Sequence, residues 1–158
     1  MLANAVEDLP GPARVRIQLE ADGDILCEAV DLLPLPSPMI VALALEPVDR
    51  LDVFLYHKTT RRDVYERARV QHPGASAVIL WNEAGEITEA TESNIVVSIG
   101  GRTITPSLEC GLLPGTLRAE LLARGEIVEG IVTKDDLRRA EQLWLINSVR
   151  GWIPVALR

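Results

Sequence analysis

The chain has 158 residues and a hydrophobic content of 47%, enough for one globular domain with a substantial core. Only 4% of residues are aromatic, so aliphatic side chains must fill the interior, and the formal charge of −7 excludes nucleic acid as a partner, because phosphate binding needs a basic face. No signal-peptide pattern, basic run or apolar stretch of membrane-spanning length occurs, which predicts a cytoplasmic protein without a membrane partner.

Residues 1–13, with Pro10-Gly11-Pro12, read as a linker or frayed end. From Arg14 to Glu20 polar and apolar residues alternate, as in a half-buried strand. Residues 21–24 form a turn, and 25–30 return as the hairpin mate. Three prolines keep 33–38 extended, and the longest apolar run, Met39 to Leu45, predicts a central strand. A second apolar stretch, Leu51 to His57, predicts a strand that ends at Lys58. Helical spacing over 61–70 puts Val64, Tyr65 and Ala68 on one face, and Pro73-Gly74 stops the helix. Strands follow at 75–81, 86–89, 94–99 and 102–105, with turns at Asn82–Gly85 and Gly100-Gly101. A helix is predicted over 115–124, a strand over 126–132, and a short helix over 134–139 capped by Thr133. Strands at 142–146 and 152–157 close the chain. No internal repeat is present, and the fold class is α+β with strands dominant over residues 14–158.

Lys58 and Lys134 are the two lysines, against fourteen arginines. A solvated cation in this chain is normally arginine, so a lysine at the exit of a buried strand is placed for its amine. An amine shielded from water loses proton affinity and becomes a nucleophile. The alternative is a lysine whose stem packs while its ammonium reaches water. Cys27 and Cys110 are far apart without metal-ligand spacing and read as reduced thiols. His57 and His72 are too few and too separated for structural zinc, so no metal is expected.

Four further segments follow the Lys58 region. They are Gly85-Glu-Ile-Thr-Glu89-Ala-Thr-Glu-Ser-Asn94, Thr105-Pro106, Gly111-Leu-Leu-Pro-Gly115-Thr116-Leu117-Arg118 and Asn147-Ser148-Val-Arg-Gly-Trp-Ile-Pro154. In this order the motifs resemble the fold-type IV family of pyridoxal-phosphate enzymes. Branched-chain and D-amino-acid aminotransferases belong to it, as does 4-amino-4-deoxychorismate lyase. His57-Lys58-Thr-Thr-Arg-Arg-Asp-Val-Tyr65 is most similar to the lyase, including the lyase-like domain fused to aminodeoxychorismate synthase. The resemblance runs from about Arg14 to the C-terminus. It implies the large, cofactor-binding domain of the D-amino-acid aminotransferase-like fold, a strand-rich mixed sheet or pseudo-barrel with a few helices. It also implies pyridoxal 5'-phosphate as cofactor and a small-molecule substrate. The family's small N-terminal domain finds no counterpart before Arg14, which predicts weak cofactor affinity for the chain alone.

Residue by residue, the resemblance implies that Lys58 holds the cofactor and moves the proton at the substrate's α-carbon. Glu89 matches the carboxylate beside the ring nitrogen; its alternative is a surface strand residue, a reading that Glu86 and Glu92 fit better. Asn94 matches a residue that holds the loop in shape. Gly115, Thr116, Leu117 and Ser148 match the phosphate-binding positions. Family members often read Gly-Ile-Thr-Arg where this chain reads Gly-Thr-Leu-Arg, so the threonine sits one place earlier and Leu117 offers only its N–H. Gly115-Thr116 also reads as an ordinary helix N-cap. Arg62 and Tyr65 either line the cofactor or pack in the core, and Trp144 and Trp152 belong to core or interface. The implied reaction releases pyruvate from aminodeoxychorismate and leaves 4-aminobenzoate, a folate precursor. Two alternatives are a class IV aminotransferase acting on branched-chain or D-amino acids and an inactive domain that serves assembly. A homodimer is implied, with a separate or fused N-terminal domain or aminodeoxychorismate synthase as a further partner.

Overall fold

The structure, a computed structural model, describes residues 11–158. The predicted linker at 1–13 therefore lies mostly outside the described residues. The chain divides into two compact units, Met1–Pro36 and Ser37–Arg158, within the stretch that reads as one domain by sequence. The first unit contains an antiparallel hairpin of β1 (Ala13–Leu19) and β2 (Ile25–Asp31). Its turn is closed by Glu20 N–H donating to Asp24 O at 2.8 Å.

The second unit is built on eight strands. They are β3 (Met39–Leu43), β4 (Ala77–Trp81), β5 (Ile87–Ala90), β6 (Asn94–Ile99), β7 (Arg102–Pro106), β8 (Val128–Gly130), β9 (Gln142–Asn147) and β10 (Gly151–Leu157). Their order in the sheet is β5-β4-β3-β10-β9-β6-β7-β8. Strand β3 runs parallel to both β4 and β10, β7 runs parallel to β8, and the remaining pairs are antiparallel. The two ends of this order meet. Ile87 N–H on β5 donates to Val132 O, just past β8, at 2.7 Å, and Glu86 bridges Thr133. The sheet is thus curled almost into a barrel.

Its interior is aliphatic, as the composition requires. Val41, Ile79, Ile87, Ile95, Val97 and Leu145 form one cluster with no more than 2% exposure each. Strand β6 shows why Asn-Ile-Val-Val-Ser-Ile folds this way. Ile95 and Val97 point into that cluster, while Val96 points the other way, onto α2 (Thr116–Ala123) with Leu121 and Ile146. Alternate residues face opposite sides of a strand, so a strand covered on both sides reads as an unbroken β-branched run. Helix α1 (Asp63–Gln71) covers a separate cluster of Leu55, Tyr65, Ala68, Val78 and Leu80. Helix α3 (Lys134–Arg139) starts at the predicted cap: Thr133 Oγ1 accepts from Asp136 N–H, and the Asp136 carboxylate accepts from Thr133 N–H.

Two predicted strands are corrected. Leu51 to His57 is no strand: Val53–Leu55 is a 3-10 turn, because the Asp52 side chain accepts from Phe54 N–H and caps it. Only Leu55 of this run is buried, while Leu51 and Val53 face solvent. The strand predicted over 126–132 shrinks to β8, since Ile127 packs under α2 and Val132 enters the main interior. A segment that buries its ends in two different clusters must bend between them.

Replacing Ile95 by Ala is expected to cost about 2–5 kcal/mol, the range for emptying a sealed aliphatic site. Ile40→Ala on half-exposed β3 surface should change stability by less than about 0.5 kcal/mol. Guanidinium unfolding of the two variants checks the assignment of inside and outside.

Candidate active site

Glu89 on β5 is 4% exposed, which removes its reading as a surface residue. Its Oε1 accepts from the Tyr65 hydroxyl at 2.7 Å and from Leu113 N–H at 3.3 Å. Burial pushes this carboxyl up to about 7; the Tyr65 and Leu113 hydrogen bonds and the charges of Lys58 and Arg62 oppose the rise. Among the described residues no donor reaches Oε2. Helix α1 delivers two of these neighbours. Tyr65 lies on its buried face, and Arg62 stands at its N-cap. The Arg62 guanidinium sits 4.6 Å over the Tyr65 ring and donates to Thr91 O at 2.5 Å. Arg62 therefore pins α1 to the turn that follows β5.

Lys58 lies in the loop between the 3-10 turn and α1 and is exposed. The shielded amine predicted at a strand exit is thus corrected: with the 51–57 run turned rather than extended, Lys58 stands on a rim. Its charge still reaches Glu89.

The opposite end of the site is the start of α2. Gly115 is its N-cap, as the helix N-cap reading of Gly115-Thr116 has it, and no side chain caps the helix. The N–H groups of Thr116, Leu117 and Arg118 have no partner within a helix that begins here, and they carry the positive end of its dipole. Thr116 Oγ1 lies 2.5 Å from Ser148 Oγ, which belongs to the turn joining β9 to β10. Both residues are exposed. Asn94 Nδ2 donates to Leu113 O at 2.8 Å, and a Cβ on Gly115 would fall 2.2 Å from Asn94 Oδ1. Glycine is required there by close approach. The residue Leu113 consequently binds Glu89 through its N–H and Asn94 through its C=O, joining the acid to the helix start.

Two supporting residues escaped sequence reasoning. Asn147 Oδ1 accepts from Val149 N–H at 3.0 Å and Arg150 N–H at 2.9 Å, and its Nδ2 donates to Ser93 Oγ at 2.8 Å. It shapes the Ser148 turn and ties it to the turn after Glu89. An asparagine two residues before a turn amide is a legible Asx-turn signal. Arg118, 4% exposed, anchors the first turn of α2 by donating to Pro106 O at 2.8 Å and pairing with Glu129. Nothing local marks a buried arginine. Trp144 and Trp152 stack edge to face at 5.5 Å, with Trp144 partly buried against the α2 cluster and Trp152 37% exposed. A cavity of about 490 Å³, lined by residues such as Glu46, Asp49, Arg61 and Arg67, shares no residue with this site.

Pyridoxal phosphate makes three demands, and the residues present fit them. An accessible amine is supplied by Lys58. A buried carboxylate with one oxygen unengaged is supplied by Glu89. An anion cradle is supplied by the uncapped helix start and the paired hydroxyls of Thr116 and Ser148.

Comparison with known proteins identifies the family. A family model described as amino-transferase class IV matches residues 5–157. A Schizosaccharomyces pombe protein provisionally named an aminodeoxychorismate lyase is 37% identical over 94% of this chain and 68% of its own length. The aminodeoxychorismate lyase of Saccharomyces cerevisiae is 31% identical over 72% of this chain and 35% of its own length. A solved structure from Mesorhizobium loti, provisionally named an amino-acid aminotransferase, is 40% identical with a TM-score of 0.93, covering 99% of this chain and 78% of that one.

Two outcomes are expected. Gly115→Ala should push Asn94 aside, lower stability by about 1–3 kcal/mol and weaken phosphate binding by calorimetry; adding Asn94→Ala should restore part of the stability, a non-additive cycle. Glu89→Gln should stabilise the cofactor-free protein by about 2 kcal/mol at pH 8, with no gain near pH 4. The folded carboxyl, at about 7 against an ordinary 4.5, holds its proton longer than the unfolded one. Parent stability is therefore full below about 4.5 and falls as pH rises through 7, and urea titrations at both pH values would show it.

Proposed function

Because the chain belongs to the class IV aminotransferase family, we propose that it is a pyridoxal-phosphate enzyme of the 4-amino-4-deoxychorismate lyase type, releasing pyruvate and leaving 4-aminobenzoate. The observation that carries the cofactor-dependent part of this reading is Glu89, a buried carboxylate with one oxygen held and one without a donor, within reach of the Lys58 charge. When bound, the cofactor supplies an electron-withdrawing ring that stabilises negative charge at the substrate's α-carbon.

The chain's own residues do the rest. Lys58 holds the cofactor through its amine and takes the proton from the α-carbon. Its exposed position on the loop would leave the amine accessible to the cofactor. Glu89 holds a proton at the ring nitrogen; a cation there favours the ionised carboxylate, as Lys58 and Arg62 already do. Thr116, Ser148 and the N–H of Leu117 bind the phosphate. Asn94 and Asn147 orient the two segments that carry those donors. Lys58 then returns a proton to the methylene carbon of the departing pyruvate. The lyase reading draws on the Schizosaccharomyces pombe relative, matched over nearly the whole chain. A second reading, amine transfer between an amino acid and a keto acid, is favoured by the Mesorhizobium loti structure. Both use the same lysine, carboxylate and phosphate cradle.

Added pyridoxal phosphate should give a near-visible absorption band, and borohydride should fix the label on Lys58. Lys58→Ala should abolish both. Label divided between Lys58 and Lys134 would count against the site. Parallel assays for 4-aminobenzoate and for keto-acid-dependent amine transfer then separate the two reactions.

A further inference from the structure

Tyr65 packs with Leu55, Ala68, Val78 and Leu80, a setting in which phenylalanine would fit equally well. A buried hydroxyl is costly unless paired. Here it is paired with Glu89 Oε1, 24 residues away in sequence, at 2.7 Å. The second donor to the carboxylate, Leu113 N–H, converges on the same oxygen. Together the two donors fix the plane of the carboxylate, with one oxygen engaged and the other without a donor among the described residues. The tyrosine is itself held: the Arg62 guanidinium lies over its ring, and Arg62 is tied to Thr91 O. We propose that Tyr65 is a positioning residue, whose phenol fixes the orientation in which the Glu89 carboxylate meets the cofactor ring and favours the ionised carboxylate.

This inference rests on Glu89 being the ring-facing carboxylate of the proposed function. The charged and polar groups that act on Glu89 are Lys58 from the loop, Tyr65 and Arg62 from α1, and the Leu113 N–H from the segment before α2. Asp52 acts on the phenol. Burial and the Glu89 charge hold the phenol well above its usual range, so it donates and does not ionise at any working pH. Removing its hydroxyl leaves Lys58, Arg62 and Leu113 in place and deletes a single donor.

The experiment is carbon-13 NMR of glutamate-labelled, cofactor-free protein, with Glu89→Gln assigning the resonance. In Tyr65→Phe the Glu89 midpoint should rise by about one pH unit, a tenfold change in ionisation. A merely structural tyrosine would leave that midpoint where it is, and an unmoved midpoint in a variant that melts like the parent overturns the proposal. Should Tyr65→Phe misfold, 3-fluorotyrosine in a Tyr56→Phe background offers a stronger donor of nearly the same size. The midpoint should then fall, and a midpoint that stays put again overturns the proposal. Pyridoxal phosphate affinity, read from tryptophan fluorescence, should drop several-fold in Tyr65→Phe. Cofactor binding by the parent with an unshifted Glu89 in the variant sinks the clamp alone. A shifted Glu89 with no binding by the parent sinks the proposed function.

Discussion

A carboxylate taken out of water governs this structure. Glu89 sits on β5 with 4% of its surface exposed, and an ion so placed is tolerated only with donors and positive charge around it. The neighbouring architecture supplies them. Helix α1 brings the Tyr65 phenol and Arg62, the loop before it brings Lys58, and the chain before α2 brings the Leu113 amide. The curled sheet makes this convergence possible, because it sets β5 and the start of α2 on one rim.

The two ends of the site are mechanically one piece. Leu113 engages Glu89 with its N–H and Asn94 with its C=O, and Asn94 crowds Gly115 at the helix start. On the other side Asn147 links the Ser148 turn to Ser93, beyond Glu89. The buried carboxylate and the uncapped helix start are thereby held at a fixed separation by backbone and amide groups rather than by long flexible side chains. Such preorganisation lowers the ordering cost of binding.

Much of the frame was legible in the chain. The capping signal at Thr133, the β-branched run of β6 and the Gly100-Gly101 turn are local patterns, and the structure has them in place. The candidate residues came from motif order, not from periodicity. Periodicity misled at Leu51 to His57, where an Asp52 cap turned an apolar run into a 3-10 turn and left Lys58 exposed. What stayed hidden is non-local: the bond from Tyr65 to Glu89, the tie from Asn147 to Ser93 and the burial of Arg118 join residues far apart in sequence, and no window along the chain contains both partners.

The place of β10 in the sheet bears on how the protein is made. It lies between β3 and β9, in the middle of the strand order, although it is the last strand of the chain. Strands β3 and β4 can pair as soon as both have been synthesised, but the strand that fills the place between β3 and β9 is missing until residues 151–157 leave the ribosome. Until then β3 keeps one bare edge, and a bare edge is open to pairing with other chains. The step that fills the gap between β3 and β9 is also the step that removes this hazard, so continuity of the sheet and protection from aggregation are completed by the same seven residues.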